Sequence, residues 1–153
     1  MTTVVVTETI RAPIEIVFQM LTDPRRSADI DPDVLGVEFV SLHEAAPGAR
    51  FRQTRRGRRG ETVSFEFEIV EYEPASRARI VNDTHGTRWD TLYSFASDGD
   101  ATRVTLTMDA HPGSLAQRLV IALTQGMIRR SIAKHLSSAR SAIEAHSSAK
   151  ALR

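Results

Sequence analysis

Three polar side chains lie among apolar and aromatic neighbours in a pattern that could act on a bound molecule. Gln53 and Arg55 follow Phe51 at intervals of two residues, and Tyr93 follows Trp89 by four, so regular strands would place each set on one face. The Tyr93 phenol could orient or protonate a carbonyl, and the Gln53 amide could form a hydrogen bond with it. The Arg55 guanidinium could bind a carboxylate or enolate. These residues are therefore the candidate catalytic residues. The alternatives are a tyrosine hydroxyl bonded to backbone and a solvated arginine.

The sequence offers no pattern typical of a metal site, a cofactor site or an activated nucleophile. Asp29-Ile30-Asp31-Pro32-Asp33 is similar to the start of a calcium loop, but its sixth position is Val34 instead of glycine and its twelfth is Val40 instead of glutamate. Cysteine is absent. His111, next to Pro112-Gly113, could lie at a cavity rim or simply on the surface. We therefore predict no metal and no cofactor.

The first 30 residues of the chain predict one strand followed by two short helices. Thr3 to Ile10 is rich in valine and threonine, which is typical of a strand. Apolar residues then recur with helical spacing at Ile14, Val17, Phe18 and Leu21, and this helix must end before Pro24. A second helical turn is expected over Arg25 to Ile30.

Val34 to Ala110 predicts six further strands, because apolar and polar residues alternate between turns that contain glycine. Ser114 and Gln117 then have the spacing of a capping box. A long helix of about 30 residues, or ~45 Å, should follow. We expect its last turns to fray, and we expect its apolar stripe to face the sheet. The stripe comprises Leu115, Leu119, Leu123, Met127, Ile128, Ile132, Leu136 and Ile143.

The widths of the predicted elements imply a cavity. Seven strands at ~4.8 Å span about 34 Å, whereas one helix is only ~10 to 12 Å across. The sheet must therefore curl around the helix, and the space between them is filled by side chains or stays open. An apolar cavity with a few polar anchors suits a small molecule, although the same residues could simply pack together. The predicted ligand-binding residues are Phe51, Gln53, Phe65, Phe67, Trp89, Thr91, Tyr93, Met108, Leu119, Leu123 and Met127.

Short motifs along the chain resemble one family. Ile10-Arg11-Ala12-Pro13, Val17-Phe18 and Leu21-Thr22-Asp23-Pro24 look like the opening of the polyketide cyclase/dehydrase-like group of the SRPBCC superfamily, which also includes START lipid-transfer domains and pollen allergens. Pro47 to Phe51 and Glu71 to Pro74 match the layout of that group, as does Ala101 to Val104. The resemblance runs from about Val4 to Ile143.

The resemblance implies a helix-grip fold of the α+β class, in the order βααββββββα, with a curved antiparallel sheet around the C-terminal helix. It also implies a cavity for lipid-like or polycyclic molecules, and therefore either a carrier or sensor or a polyketide cyclase/dehydrase-type enzyme. The chain departs from the family after the second helix, where Ala28, Ile30 and Asp31 replace frequent aromatic residues. Any ligand contact made there in relatives is in doubt for this chain.

Length, hydropathy and charge complete the prediction. A chain of 153 residues is expected to form one domain, 1–153. The longest apolar run, Leu119 to Leu123, is too short to cross a membrane, and the N-terminus does not resemble a signal peptide, so a cytoplasmic location is expected.

The charge of the chain is unevenly distributed, since the sequence from Ser114 onward contains seven basic residues and one acid. Arg50 to Arg59 adds six arginines without an acid, so contact with an anionic membrane or nucleic acid is a third hypothesis. Oligomeric state is left open.

Overall fold

A computed structural model describes residues 2–152 as a seven-stranded sheet with three α-helices. The last helix packs on one face of the sheet. The element order confirms the predicted helix-grip fold. In chain order the elements are β1 (Thr2–Ile10), α1 (Ile14–Thr22), a 3-10 turn (Pro24–Arg26), α2 (Ser27–Ile30), β2 (Val34–Ser41), β3 (Arg50–Arg56), β4 (Thr62–Glu73), β5 (Arg77–Thr84), β6 (Thr87–Asp98), β7 (Ala101–Pro112) and α3 (Leu115–Ala151).

The sheet is antiparallel throughout, with the strand order β1-β7-β6-β5-β4-β3-β2. The chain therefore leaves β1 at one edge, passes through α1 and α2, and enters β2 at the opposite edge. The crossing turns sharply at Asp23, where an extended backbone ends α1 before Pro24. The Asp23 carboxylate then accepts a hydrogen bond from the Arg25 amide at 3.0 Å, which stabilises the next turn.

The strand register decides which side chains face α3. Trp89 pairs with Ala110, Thr91 with Met108, and Tyr93 with Leu106, so each of these pairs forms one row of the inner face. A register shift between Ile69 and Glu71 interrupts the alternation of β4. This shift brings Tyr72 to the inner face, where its ring centroid lies 5.1 Å from that of Phe18. Sequence alternation alone would place Tyr72 on the outer face.

The hydrophobic core lies where α1 and the second half of α3 cover the sheet. Its largest fully enclosed side chains include Ile10, Leu106, Leu136 and Ile143. A second cluster, built on Ala49, Phe51 and Ile69, occupies the inner face near β2. The two clusters leave the inner face under the first half of α3 less completely filled.

The structure corrects the predicted orientation of α3. Ile132, Leu136 and Ile143 are buried as expected, but Leu115, Leu119, Leu123 and Met127 are exposed. At 3.6 residues per turn, Leu119 and Leu123 point almost opposite to Ile121, which is the buried residue in this part of the helix. The expectation that Leu119, Leu123 and Met127 oppose the sheet is therefore wrong. The helix also continues to Ala151, beyond the predicted length.

Polar contacts hold α3 alongside β1. The Arg129 guanidinium donates to the Val5 carbonyl at 2.8 Å, and Arg140 pairs with Glu8 at 2.9 Å. The Glu144 carboxylate accepts from the Arg11 amide at 3.0 Å. Because these contacts lie on one side of the helix, the other side is free to border a cleft. Between residues 2 and 152, none of the helices has the length and apolar character needed to cross a bilayer.

Candidate functional site

An apolar cleft of about 410 Å³ lies between the first half of α3 and the inner face of β5 and β6. It forms here because the buried residues of α3 are concentrated in its second half, whereas only Ile121 is buried before residue 132. The size is within the usual range for small-molecule sites. The lining residues are Thr84, His85, Thr87, Trp89, Ala116, Gln117, Val120, Ile121, Thr124 and Ile128.

Gln117 lines the cleft where the start of α3 meets the β5–β6 turn. The side-chain amide of Gln117 donates to the His85 carbonyl and accepts from the Gly113 backbone amide at 3.0 Å. The backbone amide of Gln117 donates to the Ser114 hydroxyl at 3.2 Å. The predicted capping box is therefore present as the contact to Ser114, but the glutamine side chain reaches outward to the β5–β6 turn. These hydrogen bonds hold the start of α3 against the β5–β6 turn, and this contact closes one side of the cleft.

The predicted ligand-binding residues occupy five different places, of which those of Gln53 and Tyr93 are described below. Trp89 lines the cleft, and Thr91 and Met108 lie one row further along the same inner face. Phe51 and Phe67 stack with ring centroids 5.2 Å apart inside the second core cluster, with Phe65 beside Phe67. Leu119, Leu123 and Met127 lie outside. The structure thus assembles only part of the predicted set around one space.

Two of the candidate catalytic residues join a polar cluster on the inner face of β3. The Arg55 guanidinium donates to the Gln53 amide oxygen at 3.3 Å and to the Asp31 carboxylate at 3.1 Å. The His135 ring nitrogen Nδ1 lies 3.6 Å from the same carboxylate oxygen. Arg55 and His135 are about one-third exposed, so the cluster is accessible to solvent. We name Asp31, Arg55, His135 and Gln53 the polar cluster.

Asp31 is the charged centre of the polar cluster. Its side chain is largely buried, yet contact with His135, the Asp33 amide and the Arg55 guanidinium lowers its pKa to about 2. The carboxylate therefore stays ionised at neutral pH despite the cost of desolvation. An ionised aspartate in this position holds the Arg55 guanidinium and the His135 ring beside one carboxylate oxygen, and each still has nitrogen atoms for a further partner.

Tyr93 lies deeper, between the rows of the main core. It is 9% exposed, and its ring is stacked on Phe95 at 6.4 Å. Burial raises the pKa of its phenol to about 12, so the hydroxyl remains a donor at any physiological pH. The structure records no hydrogen bond to this hydroxyl from residues 2–152, in contrast to Tyr72, whose hydroxyl accepts from Thr22 at 3.4 Å. The alternative interpretation, in which the Tyr93 hydroxyl bonds to backbone, therefore finds no such bond among residues 2–152.

Sequence reasoning missed Asp31 and His135 as site residues. Asp31 belongs to a segment that only partly resembles a calcium loop, and His135 is one of five histidines without a motif. They are 104 positions apart in the sequence, and only the packing of α2 against α3 brings their side chains into contact. The one available signal was the helical spacing of His135 beside Ile132 and Leu136, which places it near the buried face.

Other candidates from the sequence have ordinary surroundings. His111 is exposed on the outer face of β7. Within the described residues 2–152, no three potential metal ligands come together. Among the arginines of Arg50 to Arg59, Arg50 and Arg52 pair with Glu66 across the outer face at 3.5 and 4.0 Å, and Arg55 joins the polar cluster. The basic segment is thus partly neutralised by its own neighbours.

Solved structures with the same fold cover nearly the whole chain. A Thermus thermophilus protein, TTHA0849, is 21% identical with a TM-score of 0.74 over 95% of this chain and 99% of its own. Ara h 8.0201 is 12% identical with a TM-score of 0.74 over 97% and 98% of the two chains. At these identities the likeness concerns the fold alone.

One further structure carries two domains. The di-domain ARO/CYC StfQ from the steffimycin biosynthetic pathway is 10% identical with a TM-score of 0.76, and the match covers 99% of this chain but 53% of StfQ. Comparison with curated proteins gives no match. A family model matches residues 1–144, which is nearly the whole sequence and confirms the resemblance seen in its motifs. The chain therefore belongs to the polyketide cyclase / dehydrase and lipid transport family.

Proposed function

We propose that the protein binds a small hydrophobic or amphipathic molecule, lipid-like or polyketide-like, between α3 and the inner face of its sheet, as a carrier or sensor. The observation that carries this proposal is the apolar cleft of about 410 Å³ where α3 leaves the sheet. Trp89, Ile121 and Ile128 supply the apolar surface that such a molecule would cover. Membership of a family that includes lipid transport supports the same conclusion.

The inner face of the sheet extends from the cleft to the polar cluster, with Phe51 and Phe67 of the second core cluster between them. Trp89 pairs with Asn82 on β5, Phe67 on β4 pairs with Phe51 on β3, and Gln53 follows on the same face. The distance from β6 to β3 is three strand spacings, or about 14 Å. A molecule of that length would place its apolar body against Trp89 and its carbonyl or carboxylate end near Gln53 and Arg55. Guanidinium contacts to a carboxylate are among the stronger polar contacts available to a protein.

The single tryptophan makes this proposal testable without labelling. Trp89 is the only tryptophan of the chain and lies in the cleft, so its fluorescence reports on occupancy. Titration with anilinonaphthalene sulfonate or a fluorescent fatty acid should quench Trp89 and enhance the emission of the probe. The cleft-filling variant Thr124→Phe should abolish both signals. Thr107→Phe, on the outer face of β7, is the matched control and should leave them unchanged.

Two further results test this proposal. Arg55→Gln should weaken the binding of the fatty acid more than the binding of an uncharged analogue of equal length, because only the acid has a carboxylate for Arg55 to bind. A probe signal that survives in Thr124→Phe would mean that the molecule binds elsewhere, and the cleft proposal would then be abandoned.

Cytoplasmic location and the extent of the domain, 1–153, stay predictions from the sequence.

A cyclase or dehydrase activity is the second candidate function. It is favoured by the Tyr93 hydroxyl, which is protonated, largely buried and without a recorded partner among residues 2–152, and so could donate to a substrate carbonyl. Gln53 and Arg55 would position the substrate, and the fold is shared with the ARO/CYC protein StfQ. If a linear poly-ketone is converted at an unchanged rate by Tyr93→Phe, Gln53→Ala and Arg55→Ala, these assignments fall.

A further inference from the structure

The first half of α3 carries a row of large apolar side chains that face solvent. Leu115, Leu119, Leu123 and Met127 are 79%, 60%, 77% and 42% exposed. Their spacing of four residues aligns them along one side of the helix, since each step of four advances the helix by a little more than one turn. Together they form a continuous apolar ridge, and neither the cleft nor the core uses it.

The opposite side of the same segment is apolar as well. Ile121 and Ile128 line the cleft, so this half of α3 has apolar residues toward the sheet and away from it. A surface helix of a globular protein normally has a polar outer face. The second half of α3 follows that rule, because its buried residues Ile132, Leu136 and Ile143 leave only polar or small residues outside. The unusual outer face is therefore confined to residues 115–127.

Basic side chains border the ridge. Arg58, at the tip of the β3–β4 hairpin, has a guanidinium nitrogen 3.1 Å from the Met127 sulfur, which places its charge beside the end of the ridge. Arg130 and Lys134 are exposed and continue the same side of α3 by one and two turns. Among residues 2–152, no carboxylate forms an ion pair with any of these three. The acid of α3, Glu144, is engaged with Arg140 at 3.3 Å.

We propose that this surface docks the protein onto a lipid bilayer with anionic headgroups. The docking face consists of Leu115, Leu119, Leu123, Met127, Arg58 and Arg130. Leucine side chains on one side of a helix enter the boundary between headgroups and acyl chains, while flanking arginines meet the headgroup phosphates. Val120 is exposed and also lines the cleft, so docking would bring the cleft opening to the bilayer. The proposal does not depend on whether a ligand occupies the cleft.

Charge separates a bilayer from the other possible partners. If a second copy docked through the same face, the two sets of Arg58, Arg130 and Lys134 would meet with no acid on either ridge to neutralise them. Nucleic acid would satisfy the arginines, but its phosphate backbone offers nothing for a row of leucines to cover. An anionic bilayer satisfies both the apolar and the charged residues.

The test measures sedimentation of the full chain with vesicles of phosphatidylcholine alone and with vesicles of phosphatidylcholine and phosphatidylglycerol in equal parts. We expect binding to the anionic vesicles only. The double variant Leu119→Gln/Leu123→Gln should reduce it at least tenfold, and Leu35→Gln, an exposed leucine of β2, is the control. Arg58→Gln and Arg130→Gln should each weaken binding about fivefold, whereas Arg103→Gln, on the outer face of β7, should not.

Three results would overturn the proposal. The first is equal binding by the leucine double variant, which would leave charge as the sole cause of adhesion. The second is absence of vesicle binding together with a concentration-dependent dimer in sedimentation velocity that the leucine variants dissolve. The third is binding to duplex DNA in preference to anionic vesicles. Circular dichroism of each variant checks that α3 stays folded, so that a loss of binding is not mistaken for a loss of the helix.

Discussion

The Asp31 carboxylate lies 3.1 Å from the Arg55 guanidinium and so joins the end of α2 to the inner face of β3. The two segments are also joined by backbone contacts, because the Arg56 amide donates to the Asp33 carbonyl at 2.7 Å and Val34 pairs with Arg55. His135 approaches the same carboxylate oxygen from α3 at 3.6 Å. Three separate parts of the chain thus meet at one carboxylate. Its ionisation is therefore expected to influence both the stability of the fold and the position of Arg55.

Acid should weaken the fold through Asp31. The pKa of this carboxylate is about 2 in the folded protein, chiefly because of His135, and about 3.9 when unfolded. Because the folded pKa is the lower one, the contribution is fully present above pH ~4 and disappears as the pH falls toward ~2; it amounts to about 2 kcal/mol. Asp31→Asn should therefore lower the free energy of unfolding by about that amount at neutral pH.

The difference in the free energy of unfolding between wild type and Asp31→Asn should vanish as the pH falls from ~4 toward ~2. Urea denaturation at several pH values across this range measures the difference. Asp29→Asn, at a half-exposed position of α2 two residues before Asp31, is the control and should change the free energy of unfolding little. A gap between wild type and Asp31→Asn that persists at the lowest pH would contradict the assignment.

The two tyrosines should respond differently to loss of the hydroxyl. Tyr72→Phe removes a hydrogen bond from Thr22 and should cost about 1 kcal/mol, whereas Tyr93→Phe removes a buried hydroxyl without a recorded partner and should be neutral or stabilising. Urea denaturation compares the two. Tyr72→Phe also leaves Tyr93 as the remaining tyrosine, and alkaline titration of its phenolate absorbance should give a pKa of about 12. A Tyr93→Phe variant less stable than Tyr72→Phe would reveal a hidden partner.

Truncation of two leucines in α3 should show which face is packed. Leu136→Ala removes a fully buried side chain and should cost about 2 to 5 kcal/mol. Leu123→Ala removes one that is mostly exposed and should change the free energy of unfolding by less than about 0.5 kcal/mol. Chemical denaturation of both variants is the measurement. Similar losses would mean that the first half of the helix is covered in solution.

The junction between β7 and α3 should tolerate no side chain at Gly113. A Cβ there would lie 2.7 Å from the Gly86 carbonyl oxygen, so the start of α3 would have to move away from the β5–β6 turn. Gly113→Ala should cost about 1 to 3 kcal/mol and shift the emission of Trp89. Gly126→Ala, in the open within α3, should gain up to about 1 kcal/mol and leave the emission unchanged. Unaltered emission in Gly113→Ala would show that the turn does not shape the cleft.

The sequence by itself determined the order and type of the elements. Alternation in segments such as Val63 to Ile69 identifies strands because one face of the sheet is buried and the other is wet. Pro24 ends α1, and Ser114 begins α3, through local backbone chemistry that requires no distant partner. The family followed from short motifs for the same reason, since each lies at a local boundary between elements.

Tertiary structure alone decided the rest. The apolar residues of α3 occupy two faces, and periodicity assigned Leu119 and Leu123 to the sheet because nothing local distinguishes a leucine that packs from one that stays exposed. Contact with β1 through Val5 and Glu8 sets the rotation of the helix. The meeting of Asp31, Arg55 and His135 likewise depends on how α2, β3 and α3 pack, which is a matter of long-range geometry that no spacing within one segment encodes.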